Sequence, residues 1–504
     1  MSDYFTGAPL VIGNETQLLL DDTIIEDRWR LTRVMHHPDK FPRNPVVMRD
    51  KPWESDTVQG PNVIWDEELG KYRMWYLCFN NSAYFYGSGA QDYVGYAESD
   101  DGFNWVKPLF DHCPYGNYKK TNIVYYGTHD QGTYYGKWPE GTLITRRQIA
   151  AKCQTFKDLD EPDPSKRYKM ITIEGRPRLD LNEIHCGVNM SCSPDGIHWK
   201  LSGDRPILDH SSDCANHVIY DKANRQWIMI CRPPVYHSGR GHGMRNIRRR
   251  VAAMTSKDFV NWSYPRVIMY PDEYDTPDYD HVLVMPYGNS FLMFYAAMFG
   301  DTHGRWELRL ASSPDCFHWE RFHTREVFMP YGPEGSWDGG GVMISGGTPV
   351  RQGENLLFYY AGFVRGQEEQ GDFGGSIGLA TLKVDRFVEQ RAGETPGYLL
   401  TKEFILDGKS LRVNVEMNKS TNLKVAPQLR VEILRHPQFG QHWEFQEAYD
   451  GFRLEDCDPL AIDHTDATVT WKGKRDLSAL AGKPVYLRFE LQQMGLFSFR
   501  ISND

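Results

Sequence analysis

Helical patterning is nearly missing from this chain: long Ala/Glu/Lys/Leu-rich stretches with a 3.6-residue apolar period do not occur, which excludes a helical bundle. The nine cysteines are odd in number and form no CxxC pair, so neither a disulfide framework nor a zinc ribbon is supported, and reduced thiols in a cytoplasmic protein are expected. No apolar run approaches the ~18 residues of a membrane span. The opening MSDYFTGAPLVIGNETQLLLDD also lacks the basic and apolar regions of a secretory signal. Positive charge is in deficit, with a net charge of −10 and a pI near 6.0, which argues against nucleic acid or an anionic membrane as partner. The one basic cluster, Arg240 to Arg250, reads as a solvated loop and strand start, with phosphate or sulfate binding as the alternative.

Aromatic residues are plentiful, at 13%, and suit an all-β chain. The motif S-x-D-x-x-x-W occurs four times, as Ser99 to Trp105, Ser193 to Trp199, Ser256 to Trp262 and Ser313 to Trp319. In each copy the Ser and Asp side chains are expected to bind nearby backbone amides in a turn, and the Trp to pack between neighbouring units. Two strand-like runs precede every turn, beginning near Asn62, Gln154, His217 and His281, and a degenerate fifth set begins at Gly341.

Sets of short strands at this spacing predict a five-bladed β-propeller over residues 1–392, with Gln17 to Ile25 completing the last blade. WD40 markers are missing, and a six-bladed count exceeds the five units present. After Gly397 the turn motif stops, and alternating runs predict a β-sandwich over residues 398–504.

A propeller with S-x-DG-x-x-W turns and a trailing sandwich resembles the five-bladed glycoside hydrolase superfamily that includes families 32 and 43, and is most similar to family-32-like bacterial proteins. Family 32 carries a nucleophilic Asp in an N-D-P-N-G motif at the first inner strand. The matching stretch here is Gln59-Gly60-Pro61-Asn62-Val63, with Gly60 in place of the nucleophile. That departure argues against a retaining fructosidase route, and the Arg-Asp-Pro and Glu-Cys motifs of family 32 are not recognisable.

In propellers of this type, residues just before the inner strands converge on one funnel. They are Trp53, Glu54, Asp56, Gln59 and Asn62 in the first unit, Gln154 with Glu174 in the second, and Asp213 and His217 in the third. The fourth unit supplies Asp278, Asp280 and His281, and the fifth Glu334, Trp337 and Asp338. Glycoside hydrolysis needs two carboxyl groups flanking the scissile bond. The preferred set is Asp56, Asp213 and Asp280, with Asp213 as base or nucleophile, Asp280 as acid and Asp56 as orienting carboxylate, or the same three with these roles permuted. Glu174 is a rival acid, and each of these residues has a plain alternative role as a turn cap or surface ion pair.

Trp53, Trp337 and Tyr279 suit stacking on a sugar, or packing between blades. No cofactor is expected; a divalent metal on His217 and His281, read as matching positions, is the alternative. The expected activity is that of a glycosidase on a small oligosaccharide or glycoside. The alternatives are a glycoside phosphorylase, with Arg232 and the Arg240 to Arg250 loop holding phosphate, and a non-catalytic carbohydrate-binding propeller. Carbohydrate is the expected partner, nucleic acid and membrane are not, and a homo-oligomer is left open.

Overall fold

The computed structural model describes residues 8–504 apart from 55, 80–91, 127–142, 145–150, 179–182, 204, 210–211, 213–215, 234–248, 301, 323–324, 420–423 and 437–446. The architecture is all-β, built from several antiparallel sheets. The first unit comprises Thr57–Asp66, Lys71–Phe79, Tyr93–Ser99 and Ile123–Tyr125. Ala151–Lys157, Tyr168–Arg178 and Glu183–Ser193 make the second, and His217–Asp221, Gln226–Cys231, Val251–Ser256 and Arg266–Met269 the third. The fourth contains Asp278–Tyr287, Ser290–Met298 and Trp306–Ser313; the fifth contains Gly341–Met343, Asn355–Phe363 and Ser376–Lys383. Among the described residues no helix is long and apolar enough to cross a membrane.

Asp39–Lys40, not the earlier Gln17 to Ile25 run, completes the fifth unit by pairing with Ser376–Lys383. The earlier run joins the C-terminal sheets, where Gln17–Leu18 pairs with Met494–Ser502 and Ile25–Trp29 with Gly397–Thr401. Thr32–Met35 follows suit on Val388–Arg391. The expected boundaries at 1 and 392 therefore do not match the strand pairing, which assigns Leu10 to Met35 to the C-terminal part. Alternation explains the two sheets there: Leu399, Val431 and Phe489 of one face Val413, Phe499 and Ile501 of the other in a single core.

The four Ser-Asp turns fold alike. Ser99 Oγ accepts from Gly102 N at 2.9 Å, while Asp101 Oδ1 accepts from the amides of Phe103 and Asn104, both at 2.8 Å. Asp195, Asp258 and Asp315 take the same pairs of amides. The residue after the Asp needs a left-handed backbone, with φ of 81° at Gly102 and 75° at Gly196, which is why glycine recurs there. Phe259 and Cys316 adopt the same conformation at φ of 61° and 68° despite their side chains.

Burial works against ionisation of Asp195 and Asp315, yet the backbone amides and His198 or His318 outweigh it and pull both carboxyls down to about 2. A carboxyl lowered in the folded state adds stability above its unfolded value and loses it as pH falls through the folded one. Stability should therefore hold down to about pH 4 and decline toward pH 2. Denaturant melts across that window should show a shallower decline for Asp195→Asn/Asp315→Asn than for the unsubstituted chain.

Each turn docks on the preceding unit. Trp75 Nε1 of the first unit donates to Gly196 O of the second at 2.7 Å, and Arg73 Nη2 to Asp195 O at 2.6 Å. Tyr359 of the fifth unit donates to Gly102 O of the first, also at 2.7 Å. Thr57 forms a bridge with Gly375 as well, so the fifth unit meets the first.

Candidate functional site

Counting back from the hairpins, Val63, Thr155, Val218 and Val284 lie opposite Met74, Met170, Met229 and Met293 and hold equivalent places on the inner strands. The residue before each of the first three is a latch to the next unit. Asn62 Oδ1 accepts from Thr155 N at 2.6 Å, Gln154 Oε1 from Val218 N at 2.8 Å, and His217 Nε2 from Val284 N at 2.9 Å. These three were expected to hold substrate; one acceptor atom of each is taken by a backbone amide of the next unit. His217 matches Leu283 and not His281, so the two histidines are not at equivalent positions, and the His217 Nε2 accepts from an amide.

The tryptophan-acid pairs are also interior. Trp53 is buried, with Nε1 donating to Asn122 Oδ1 at 2.7 Å, and does not present a stacking face. Glu54 accepts from Tyr76 OH at 2.6 Å and lies 2.7 Å from Lys107 Nζ. Asp338 repeats this arrangement with Lys40 Nζ at 2.7 Å and Tyr360 OH at 3.5 Å. In the fourth unit the counterpart is Asp275, which sequence reasoning missed. Its side chain is fully buried and ion-paired with Arg321 and Arg325. Tyr279, expected to stack on sugar, is fully buried and its hydroxyl accepts from Arg321 Nη1 at 2.6 Å.

Glu174 is 1% exposed and faces the first unit. Its carboxylate accepts from Tyr125 OH at 3.1 and 3.2 Å and from Thr172 Oγ1 at 2.6 Å. Asp56 stands at the start of its strand, where its carbonyl accepts from Arg49 Nη1 at 2.9 Å. Glu334 is exposed, Trp337 is half-buried, and Asp213 lies outside the described residues, as does the cluster from Arg240 up to residue 248.

Asp280 is where charged groups converge. It sits beside a register shift on its inner strand between Tyr279 and Val282, and Gln59 sits beside the corresponding shift between Gln59 and Asn62. Gln59, Gly60, Leu77, His281, Met343, Ser345 and Ala361 line a small cavity where the first, fourth and fifth units meet. Asp280, next to His281, is 5% exposed. Arg232 Nη2 donates to Oδ1 at 2.9 Å, Trp306 Nε1 donates to Oδ2 at 2.7 Å, and Arg249 Nε lies 3.4 Å from Oδ1. His281 Nδ1 is 3.6 Å from the same oxygen.

Burial alone would raise the Asp280 carboxyl, but the charges of Arg249, His281 and Arg232 outweigh it and hold the group well below the usual carboxylate range. A carboxylate held ionised can act as a base, a nucleophile or a fixed negative charge, and is unsuited to giving up a proton. Of the roles open to Asp280, that of base or nucleophile suits this setting better than that of acid. Trp306 was missed because it falls one residue before the strand-like run that was legible.

Among the described residues, one group of metal-ligating side chains has its atoms within 4.8 Å of one another: His36, Glu389 and Glu416. It lies where the units meet the C-terminal sheets, and Glu389 is engaged there by Arg391.

No family model matches the chain, and no curated protein matches it. Solved structures do. The chain is similar to an N-acetylgalactosamine deacetylase from F. plautii at 14% identity and a TM-score of 0.45, over 71% of this chain and 97% of that one. A glycosyl hydrolase from Bacteroides ovatus is similar at 14% identity and 0.46, over 70% and 95%. A thermostable family-43 glycoside hydrolase is similar at 11% identity and 0.44, over 71% and 96%.

Proposed function

We propose that the protein is a glycoside hydrolase whose five antiparallel units are the blades of a β-propeller, with the reaction at the axial cavity and the C-terminal sheets, completed by Leu10 to Met35, forming a β-sandwich. The observation that carries this reading is the Asp280 carboxylate, held ionised by Arg232 and Arg249 beside a cavity shared by three units. In this reading Asp280 is the base or nucleophile, and the proton donor is Asp213 or Glu174, with Asp56 at the rim. Trp306 and Arg232 fix the orientation of the carboxylate, which a displacement at a sugar carbon requires.

The same two arginines favour a second reading. They outnumber the carboxylate between them, which suits phosphorolysis, where phosphate takes the place of water. A panel of aryl α- and β-glycosides, furanosides included, assayed with and without phosphate and then with EDTA, tests both. Phosphate-independent turnover is expected. Turnover only with phosphate would establish the second reading, and binding without turnover on any member would establish a non-catalytic carbohydrate-binding propeller.

A further inference from the structure

We propose that a cleft between the fifth and first units holds an anionic sugar residue of the substrate, and that Arg365 is the charge that selects it. This rests on the carbohydrate-active reading above. The cleft is about 450 Å³ in volume and is lined by Met48, Arg49, Trp337, Val364, Arg365 and Asp372, among others. That is within the range of small-molecule sites, roughly 300–1,000 Å³.

Its place in the fold links it to Asp280. Gly374 and Ser376 of its wall flank the Thr57–Gly375 bridge, at the end where the first inner strand begins. Trp306, whose indole donates to Asp280, packs on Phe363 at 5.3 Å and on Phe373 at 5.7 Å between ring centroids. Phe363 leads directly into Val364 and Arg365. One aromatic layer, Trp306 with Phe363 and Phe373, thus lies between the carboxylate and the cleft.

Its chemistry fits a charged sugar. Trp337 packs on Tyr360 at 5.7 Å and against Gly362 and Gly378, where a Cβ would come within 2.4 and 2.6 Å of the indole. The ring is therefore a fixed surface at the cleft, which suits packing on the apolar face of a pyranose. Arg49 is tied to Asp372 through both terminal nitrogens. Arg365 is exposed and, among the described residues, makes no hydrogen bond or salt bridge, though its charge helps to lower the Asp372 carboxyl. Two guanidinium groups against one carboxylate leave the cleft positive on a chain of net charge −10. An exposed guanidinium fork takes a carboxylate or sulfate oxyanion in bidentate fashion, whereas a neutral hydroxyl gains little from it.

The test is calorimetric binding to the full chain at low salt, using tri-galacturonic acid, its carboxyl-reduced neutral counterpart and a sulfated galactose trisaccharide. The acidic trimer should bind at least about tenfold more tightly than the neutral one. Arg365→Gln should abolish that preference and leave neutral binding unchanged, Arg365→Lys should retain part of it, and Asp372→Asn should enlarge it. The sulfated arm identifies which oxyanion is favoured, provided that its binding also depends on Arg365. Equal binding of acidic and neutral trimers, or a preference that survives Arg365→Gln in a variant with an unchanged melting temperature, overturns the inference. If neutral glycosides are hydrolysed without any acidic preference, only this inference falls; if acidic trimers bind through Arg365 but no glycoside is turned over, only the hydrolase reading falls.

Discussion

Asp280→Asn should lower turnover on the best aryl glycoside by about 10²–10⁴-fold, the usual loss when a group that handles a proton or attacks carbon is removed. The substitution keeps the shape of the side chain and an acceptor for Arg232 or Trp306, but removes the charge that faces Arg232 and Arg249. Some stability is lost with it, because two guanidinium groups remain near a neutral amide. Two further measurements separate chemistry from folding. Activity is scored per folded molecule, and Asp280→Gly is assayed with added formate or azide, small anions that can stand in for a missing base or nucleophile. Rescue by the anion supports the catalytic assignment. Activity per folded molecule within about 10-fold of the original sinks it and leaves Asp280 as a structural ion-pair partner.

The largest loss of stability is expected at Asp66. This fully buried carboxylate ends the first inner strand and collects Arg73 at 3.2 Å, Lys157 at 2.7 Å and Tyr168 OH at 2.5 Å, so that one side chain ties the first unit to the second. Burial opposes its ionisation, and Lys157, Tyr168 and Arg73 together still lower its pKa. Asp66→Ala leaves a buried arginine and a nearly buried lysine without their counter-charge, which costs about 3–5 kcal/mol. Urea melts would measure it. Adding Arg73→Met and Lys157→Met to Asp66→Leu should recover much of the loss, since apolar groups of similar volume can replace a buried ion cluster at little cost. If Asp66→Ala costs less than about 1 kcal/mol, the value of an exposed pair, the network contributes no more than a surface contact.

How much of this was legible depended on whether the information was local. The four turns could be read because Ser and Asp bind amides two and three residues away, and the fixed spacing displays that chemistry directly. The strand pairs showed for the same reason. The latches were misread as ligands to substrate because an inner-strand Asn, Gln or His looks the same whether it faces a cavity or a backbone amide some 60 to 90 residues away. Asp280 could be singled out as a carboxylate at the inner strand, but the charges around it could not be read. Its ionisation is held, against burial, by Arg249 and Arg232, 31 and 48 positions earlier, together with the adjacent His281, and its orientation by a Trp 26 residues later. Asp275 was invisible for a similar reason: its arginines come from the other side of the fourth unit.

The pairing of the first strands with the last has a consequence for synthesis. Gln17 meets Phe499, so the N-terminal segment emerges from the ribosome some 480 residues before its partner exists. At about 5–20 residues per second that interval is roughly 24 to 96 seconds. The five units can form during that time, while Leu19 and Ile24, which end in the core of the C-terminal sheets, remain uncovered. Those side chains are a short adhesive stretch in the nascent chain.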